Sequence, residues 1–201
     1  TQISTRTIIV SGTQQAMNPA GRKNELAYQM LLASKKLKTD MEFGLTNNKA
    51  SATSPRKSRG LPGWIVDNVN TGAGYVAPNY VTNTAGTDGT PRAFTEAMFK
   101  DVLQKCYVAG GSPTVIMLGA ANRQLFSTFA GNSTRFDKGE DSKVFASIDV
   151  YASDFGQIMA KPNRIQRSRD AFILDVDKLA VAYLRPFTQT ELAKTGDSEK
   201  R

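Results

Sequence analysis

Hydrophobic positions recur at helical spacing in the first quarter of the chain. The pair Asn18-Pro19 is typical of a helix start, because Asn caps free N–H groups and proline lacks the N–H that the first helical position leaves unused. Apolar residues then follow at intervals of three or four and form one stripe: Leu26, Met30, Ala33, Leu37, Met41 and Leu45. We predict a helix over residues 19–45, about 40 Å long at the usual rise per residue. Such a helix needs a long surface to pack on.

The first eleven residues have the composition of a β-strand. Their β-branched and apolar side chains are Ile3, Thr5, Thr7, Ile8, Ile9 and Val10. No neighbouring segment is an obvious pairing partner. We therefore predict an edge strand or projecting arm that is completed by another copy of the protein.

The second half mixes helices with strands. Thr95 is the predicted cap of a second helix that ends at Gly110-Gly111, and Asn122 is the predicted cap of a short third helix. Apolar or alternating runs predict strands at 115–118, 144–151, 157–161, 172–174 and 181–184, with Gly156 in a hairpin turn. Two polar stretches, residues 46–59 and 68–89, read as surface loops, and Trp64 between them as a packing anchor. The predicted fold class is α+β.

Composition removes most catalytic chemistry from consideration. The chain has 201 residues with no histidine and one cysteine, Cys106, so a disulfide framework, a cysteine zinc site and a histidine general base are all excluded. Ser54 and Lys57 have the spacing of a serine nucleophile and its lysine, but Pro55 and the polar surroundings argue against the helix that this arrangement requires. We expect no cofactor and no enzymatic activity. The missing initiator methionine and signal pattern predict the middle of a longer protein that is not exported.

Charge favours a polyanionic or acidic partner. Lys and Arg outnumber Asp and Glu by 26 to 18, which gives +8 and a pI near 9.6. Eight basic residues fall into two groups, the first Lys49, Arg56, Lys57 and Arg59, the second Lys161, Arg164, Arg167 and Arg169. Neither group has interleaved aromatic residues that would stack on bases. Contact with DNA phosphates, contact with acidic neighbours and a simple solvated face all remain open.

Several stretches form a recognisable set and occur in consistent order along most of the chain: Val10 to Ala16, Gly21-Arg22, Glu25 to Gln29, Leu37 to Glu42, Gly60-Leu61 with Trp64-Ile65, Ala109 to Pro113, Phe155-Gly156, Lys161 to Arg164, Leu184 to Pro186 and Leu192 to Ser198. Together they resemble a family of tailed-bacteriophage major head proteins. The resemblance implies the phage and herpesvirus major capsid fold, known as Hong Kong 97-like, with an extended loop, a peripheral domain on a long spine helix, and an axial domain of mixed sheet and helices.

The resemblance also implies a domain plan and a function. Residues 1–18 would be the returning strand of the extended loop, 19–59 the peripheral spine helix and basic loop, 60–160 mainly the axial domain, and 161–201 the strands returning toward the periphery with a tail. The protein would assemble into hexamers and pentamers of an icosahedral shell around double-stranded DNA. Its partners would be itself, portal and scaffolding proteins and packaged DNA, with no membrane. Assembly would occur in the bacterial host cytoplasm.

Two other functions are compatible with parts of the sequence. A basic nucleic-acid-binding protein outside any shell would explain the charge, although no groove-reading motif is present. An enzyme that uses carboxylates alone would require a buried acidic pair in a pocket.

Overall fold

The computed structural model describes residues 1–17, 21, 24–129 and 150–201. The predicted α+β class is confirmed. The helices are α1 (Gly12–Ala16), α2 (Glu25–Thr46), α3 (Glu96–Val108) and α4 (Ala120–Phe126). The strands are β1 (Ile9–Ser11), β2 (Ala52–Thr53), β3 (Arg56–Lys57), β4 (Val115–Leu118), β5 (Val150–Ser153), β6 (Gly156–Pro162), β7 (Ala171–Leu174) and β8 (Ser198–Lys200), and 3-10 turns cover Leu61–Gly63 and Val176–Lys178.

The long helix α2 begins later than the sequence predicts. Its cap is Asn24, whose side chain accepts from the Ala27 N–H, and Gly21 lies in a turn with φ +88°. Residues 18–20 and 22–23, which include the predicted cap, lie outside the described residues. The helix has 22 residues and is therefore about 33 Å long. All six stripe residues are buried or half-buried on one face.

A four-stranded sheet carries the main core. Its strand order is β5-β6-β4-β7, in which β4 pairs parallel with β6 and antiparallel with β7. The predicted central strand at 115–118 is confirmed, as is the hairpin at Gly156, where Ser153 faces Gly156 and φ is +126°. The predicted strand residues 144–149 lie outside the described part.

Helices α3 and α4 pack aromatic side chains against this sheet. Phe99 makes edge-to-face contacts with Phe126 and Tyr151, at ring-centroid distances of 5.4 and 5.0 Å. Thr95 caps α3 as predicted, by accepting from the Met98 N–H, and positive φ at Gly110 ends it. The cap predicted at Asn122 is wrong. Gly119 precedes α4, and Asn122 within it donates instead to the Ser168 carbonyl.

Three other predictions are corrected. Trp64 is 62% exposed, with its ring against the Arg59 guanidinium rather than in the core. Residues 181–184 form no strand, because no segment of the described chain pairs with them. The polar loop 46–59 contains the short β2–β3 hairpin, whereas loop 68–89 has only isolated bridges, as expected.

Candidate assembly and polyanion-contact surfaces

The predicted N-terminal arm is shorter than expected and has a partner within the chain. Only β1 is a strand, and it pairs antiparallel with β8, so that Ile9 faces Lys200 and Val10 faces Glu199. Ile8 exchanges backbone hydrogen bonds with Arg201, whereas Ile3, Thr5 and Thr7 have no regular structure. β1 therefore has one partner in its own chain, and completion by another copy remains a prediction for the residues before β1 and for the second edge of β1. The pairing was invisible locally because its two strands are almost 190 positions apart.

The two termini are held by a second contact beside this ladder. The Asp197 carboxylate accepts from the backbone N–H and the hydroxyl of Thr13, at 2.9 and 3.1 Å, at the first turn of α1. Gly12 makes room for it, since a Cβ there would overlap Asp197. We call β1, β8 and this carboxylate contact the terminal clasp. In the sequence Asp197 falls within the resemblance stretch Leu192 to Ser198 but has no evident role, because its partner Thr13 is 184 positions away.

The first basic group contains three exposed residues and one buried residue that is hydrogen-bonded within the chain. Arg56 and Lys57 form β3 at an exposed hairpin and make no ion pair within the described chain. Lys49 is also exposed, with its ammonium 4.7 Å from the centre of the Phe43 ring. Arg56 and Lys57 are therefore available to an outside anion.

Arg59 does not share this role. It is only 6% exposed, and its guanidinium donates to the Gly63 carbonyl at 3.1 Å and to Asn83 Oδ1 at 2.9 Å. This buried side chain therefore links the 3-10 turn at Leu61–Gly63 to loop 68–89. The assignment of Arg59 to a contact surface is corrected, because a guanidinium that is buried and hydrogen-bonded within the chain is not available to phosphates.

The second basic group separates in the same way. Lys161 and Arg164 are exposed at the end of β6 and have no ion-pair partner among the described residues. Arg167 instead makes a bidentate contact with Asp88, at 2.7 and 3.1 Å, and a third hydrogen bond to Asp170 at 2.7 Å. Arg169 donates to the Gly89 carbonyl and lies 3.5 Å from Asp88. Arg167 and Arg169 therefore anchor loop 68–89 to the turn after β6.

The two acids in this anchor differ in their electrostatics. The hydrogen bond from Arg167 holds the pKa of Asp88 below its ordinary value, against the opposing effect of partial burial. Burial raises the pKa of Asp170 and outweighs the Arg167 hydrogen bond there. Sequence reasoning missed Asp88 because it sits in a stretch of Asn, Thr and Gly, 79 positions before its partner.

Polar side chains near α2 connect it to the sheet. Asn163 is buried and donates to Glu42 Oε1 at 2.7 Å, while its own Oδ1 accepts from the Ile165 N–H. Gln166, also buried, donates to the Met117 and Asp170 carbonyls. The turn that presents Arg164 is thus held rigidly against α2 and β4.

Helix α2 has apolar residues on the side opposite its packed stripe. Leu31 and Leu32 are 50% and 40% exposed, and they lie roughly 100° to 160° around the helix axis from Ala33 and Leu37. A helix that is apolar on two faces is ordinarily buried on both. This outward face therefore needs a cover.

The residues considered for metal binding and nucleophilic chemistry can be placed in the structure. Across residues 1–17, 21, 24–129 and 150–201, no cluster of three or more Cys, Asp or Glu could hold a metal ion. Burial raises the pKa of the half-buried Cys106 thiol. Ser54 and Lys57 belong to the β2–β3 hairpin and not to a helix. No helix in the described ranges is both long and apolar enough to cross a bilayer.

Comparison with known proteins gives these surfaces a context. A family model described as SU10 major capsid protein matches residues 1–201. The major capsid protein of Escherichia phage Phieco32 is 26% identical over 245 aligned residues, which cover 100% of this chain and 68% of that relative. Both findings agree with the resemblance to phage head proteins that the sequence motifs carry. The chain belongs to the SU10 major capsid protein family, whose members are structural proteins of phage capsids.

Proposed function

We propose that this protein is the subunit of an icosahedral phage head, that it assembles into hexamers and pentamers, and that the resulting shell encloses double-stranded DNA. Its fold would be Hong Kong 97-like, with α2 as the spine helix of the peripheral domain and the β4–β7 sheet within the axial domain. The domain plan set out from the sequence remains part of this proposal.

The observation that carries self-assembly is the amount of exposed surface. A compact monomer of 21.9 kDa is expected to expose about 9,300 Å², whereas this chain exposes 14141 Å². Large hydrophobic side chains such as Leu31, Tyr107 and Leu184 are at least half exposed. Surface of this extent and character is favourable only when copies of the protein cover one another.

The exposed basic residues support a role at the inner face of the shell. We propose that Arg56, Lys57, Lys161 and Arg164 contact DNA phosphates without reading sequence, because no aromatic residues are interleaved with them. Lys49 is a weaker member, since its ammonium already lies over Phe43. Portal and scaffolding proteins are further proposed partners, and the proposed place of assembly is the host cytoplasm.

Negative-stain microscopy of the full-length protein tests the shell. Closed shells, or rings of five and six subunits, are expected without added DNA. A uniform population of small species that binds DNA would instead support a nucleic-acid-binding protein outside any shell.

Charge reversal tests the DNA contact separately. In particles of the Arg56→Glu/Lys57→Glu variant we expect normal assembly but weaker DNA retention as salt rises, because phosphate contacts release counterions. Arg56→Lys/Lys57→Arg is the matched control, since it keeps both positive charges at the same exposed positions and should leave retention unchanged. Unchanged retention in the double variant would remove this hairpin from the DNA surface.

A further inference from the structure

The longest exposed segment of the described chain lies between the 3-10 turn and β8. Every residue from 176 to 197 is exposed, and no helix or strand occurs within residues 179–197. Six large hydrophobic side chains nevertheless fall within residues 179–192, namely Leu179, Val181, Tyr183, Leu184, Phe187 and Leu192. We call residues 179–192 the strap.

The composition of the strap is not that of a solvated loop. Loop 68–89 is mostly exposed as well, but Asn, Thr and Gly make up more than half of its 22 residues, and only three large hydrophobic side chains are exposed in it, Val76, Tyr80 and Val81. The strap has no glycine, and Leu184 is 85% exposed. Tyr183 and Phe187 touch only edge to face, at 6.1 Å between ring centroids. Isolated exposed hydrophobic residues are ordinary, but six within fourteen positions mark an interaction surface.

Both ends of the strap are fixed to the body of the subunit. At the start, Asp175 accepts from the Ser112 N–H and Lys178 donates to the Gly110 carbonyl. At the end, the Leu192 N–H donates to the Lys200 carbonyl, and Asp197 belongs to the terminal clasp. The middle of the strap is therefore held near a fixed position. Binding then costs it little conformational entropy.

We propose that the strap is an intersubunit contact that lies on an apolar surface of a neighbouring copy in the shell. The occupant is a second copy because the chain belongs to a capsid protein family and exposes far more surface than a compact monomer. The strap bears few charges, Arg185 and Glu191, and Glu191 is paired with Arg201 at 2.7 Å in its own subunit. Such a segment fits an apolar protein surface better than it fits DNA. The inference rests on the proposed shell function.

Photo-crosslinking in isotope-mixed particles tests the strap. A benzophenone amino acid replaces Leu184, and particles are assembled from equal amounts of ¹⁴N- and ¹⁵N-labelled chains. We expect about half of the crosslinked peptide pairs to contain both isotopes, as random mixing of two chains requires, and none in dilute unassembled subunits. If particles form but every pair carries a single isotope, the strap proposal is overturned while the shell function stands. If unsubstituted protein forms no particles, the shell function itself fails.

A substitution gives the second readout. Tyr183→Ser/Leu184→Ser should reduce the yield of closed particles at least tenfold without changing the denaturation midpoint of the subunit, because neither side chain touches the core. Thr188→Ser in the same strap is the matched control. Wild-type particle yield from the double variant would also overturn the proposal.

Discussion

Buried and half-buried polar side chains fix the conformation of the irregular segments of this capsid subunit. Arg59 joins a 3-10 turn to a loop more than twenty positions away, and Arg167 joins that loop to the turn after β6. Basic residues are abundant in the sequence, but nothing local distinguishes these two from the exposed Arg56 or Arg164. Each has one nearby partner, the Gly63 carbonyl or Asp170, but the partners that fix loop 68–89, Asn83 and Asp88, come from a distant segment that only folding brings close.

Arg59→Ala should destabilise the subunit. The change leaves the Gly63 carbonyl and Asn83 without their buried donor and removes packing from Trp64, so we expect a loss of about 3 kcal/mol. Urea denaturation of unassembled subunits measures it. Arg56→Ala, at an exposed position, should stay within about 0.5 kcal/mol. Equal losses of stability in the two variants would contradict the distinction between the buried Arg59 and the exposed Arg56.

The Asp88–Arg167–Asp170 anchor should show two opposite titration shifts. Asp88 has a pKa held below the ordinary 3.8, so its contribution to stability is present above that pH and is lost as the pH falls through the lowered value. Asp170 has a raised pKa, so the cost of its buried charge appears as the pH rises through that value. Carboxyl ¹³C NMR titration of the subunit should place the Asp88 midpoint below 3.8 and the Asp170 midpoint above it. The reverse order would refute the assigned geometry.

At the scale of elements, the sequence predicted those features correctly whose determining residues all lie within one short segment. The Thr95 cap, the Gly156 turn and the stripe on α2 were readable because each depends on residues within a few positions of one another. The start of α2 was misplaced because Asn18-Pro19 and Asn24 both carry capping chemistry, and the sequence does not say which asparagine is used. The strand predicted at 181–184 failed for a different reason: an apolar run becomes a strand only with a partner.

The terminal clasp gives a prediction at this scale. Gly12→Ala places a Cβ against the Asp197 carboxylate, so the contact with Thr13 should be lost and the β1–β8 pairing weakened. Hydrogen exchange of the Ile8, Val10 and Arg201 amides should accelerate at least tenfold. Gly44→Ala is the matched control, because its nearest neighbour is the flexible Gln2 side chain, at 3.4 Å, and alanine favours the helix. Unchanged protection in Gly12→Ala would show that Asp197 does not hold the clasp.

The two faces of α2 should respond differently to a polar side chain. Leu26→Ser lies in the packed stripe and should cost the subunit about 3 kcal/mol. Leu31→Ser/Leu32→Ser lies on the outward face and should leave subunit stability nearly unchanged while lowering particle yield. Denaturation curves and sedimentation, measured on the same preparations, separate the two effects. Normal particle yield from the outward variant would show that this face is not covered in the shell.

On the scale of the whole molecule, one chain leaves much of its apolar surface without a cover. The sheet and its aromatic cluster form a satisfied core, but the outward face of α2 and the strap do not belong to it. The sequence indicated the capsid family through motifs spread along the chain, and it indicated a long helix in need of a surface. The sequence could not indicate which apolar faces remain exposed in the single subunit, because that depends on where the other segments pack.

Sedimentation velocity of the full-length protein, from micromolar to submillimolar concentration, tests self-association most directly. The account predicts discrete fast-sedimenting species, capsomers and closed shells, that appear without DNA and grow with concentration. A single stable species at the mass of one chain across the whole range would contradict it.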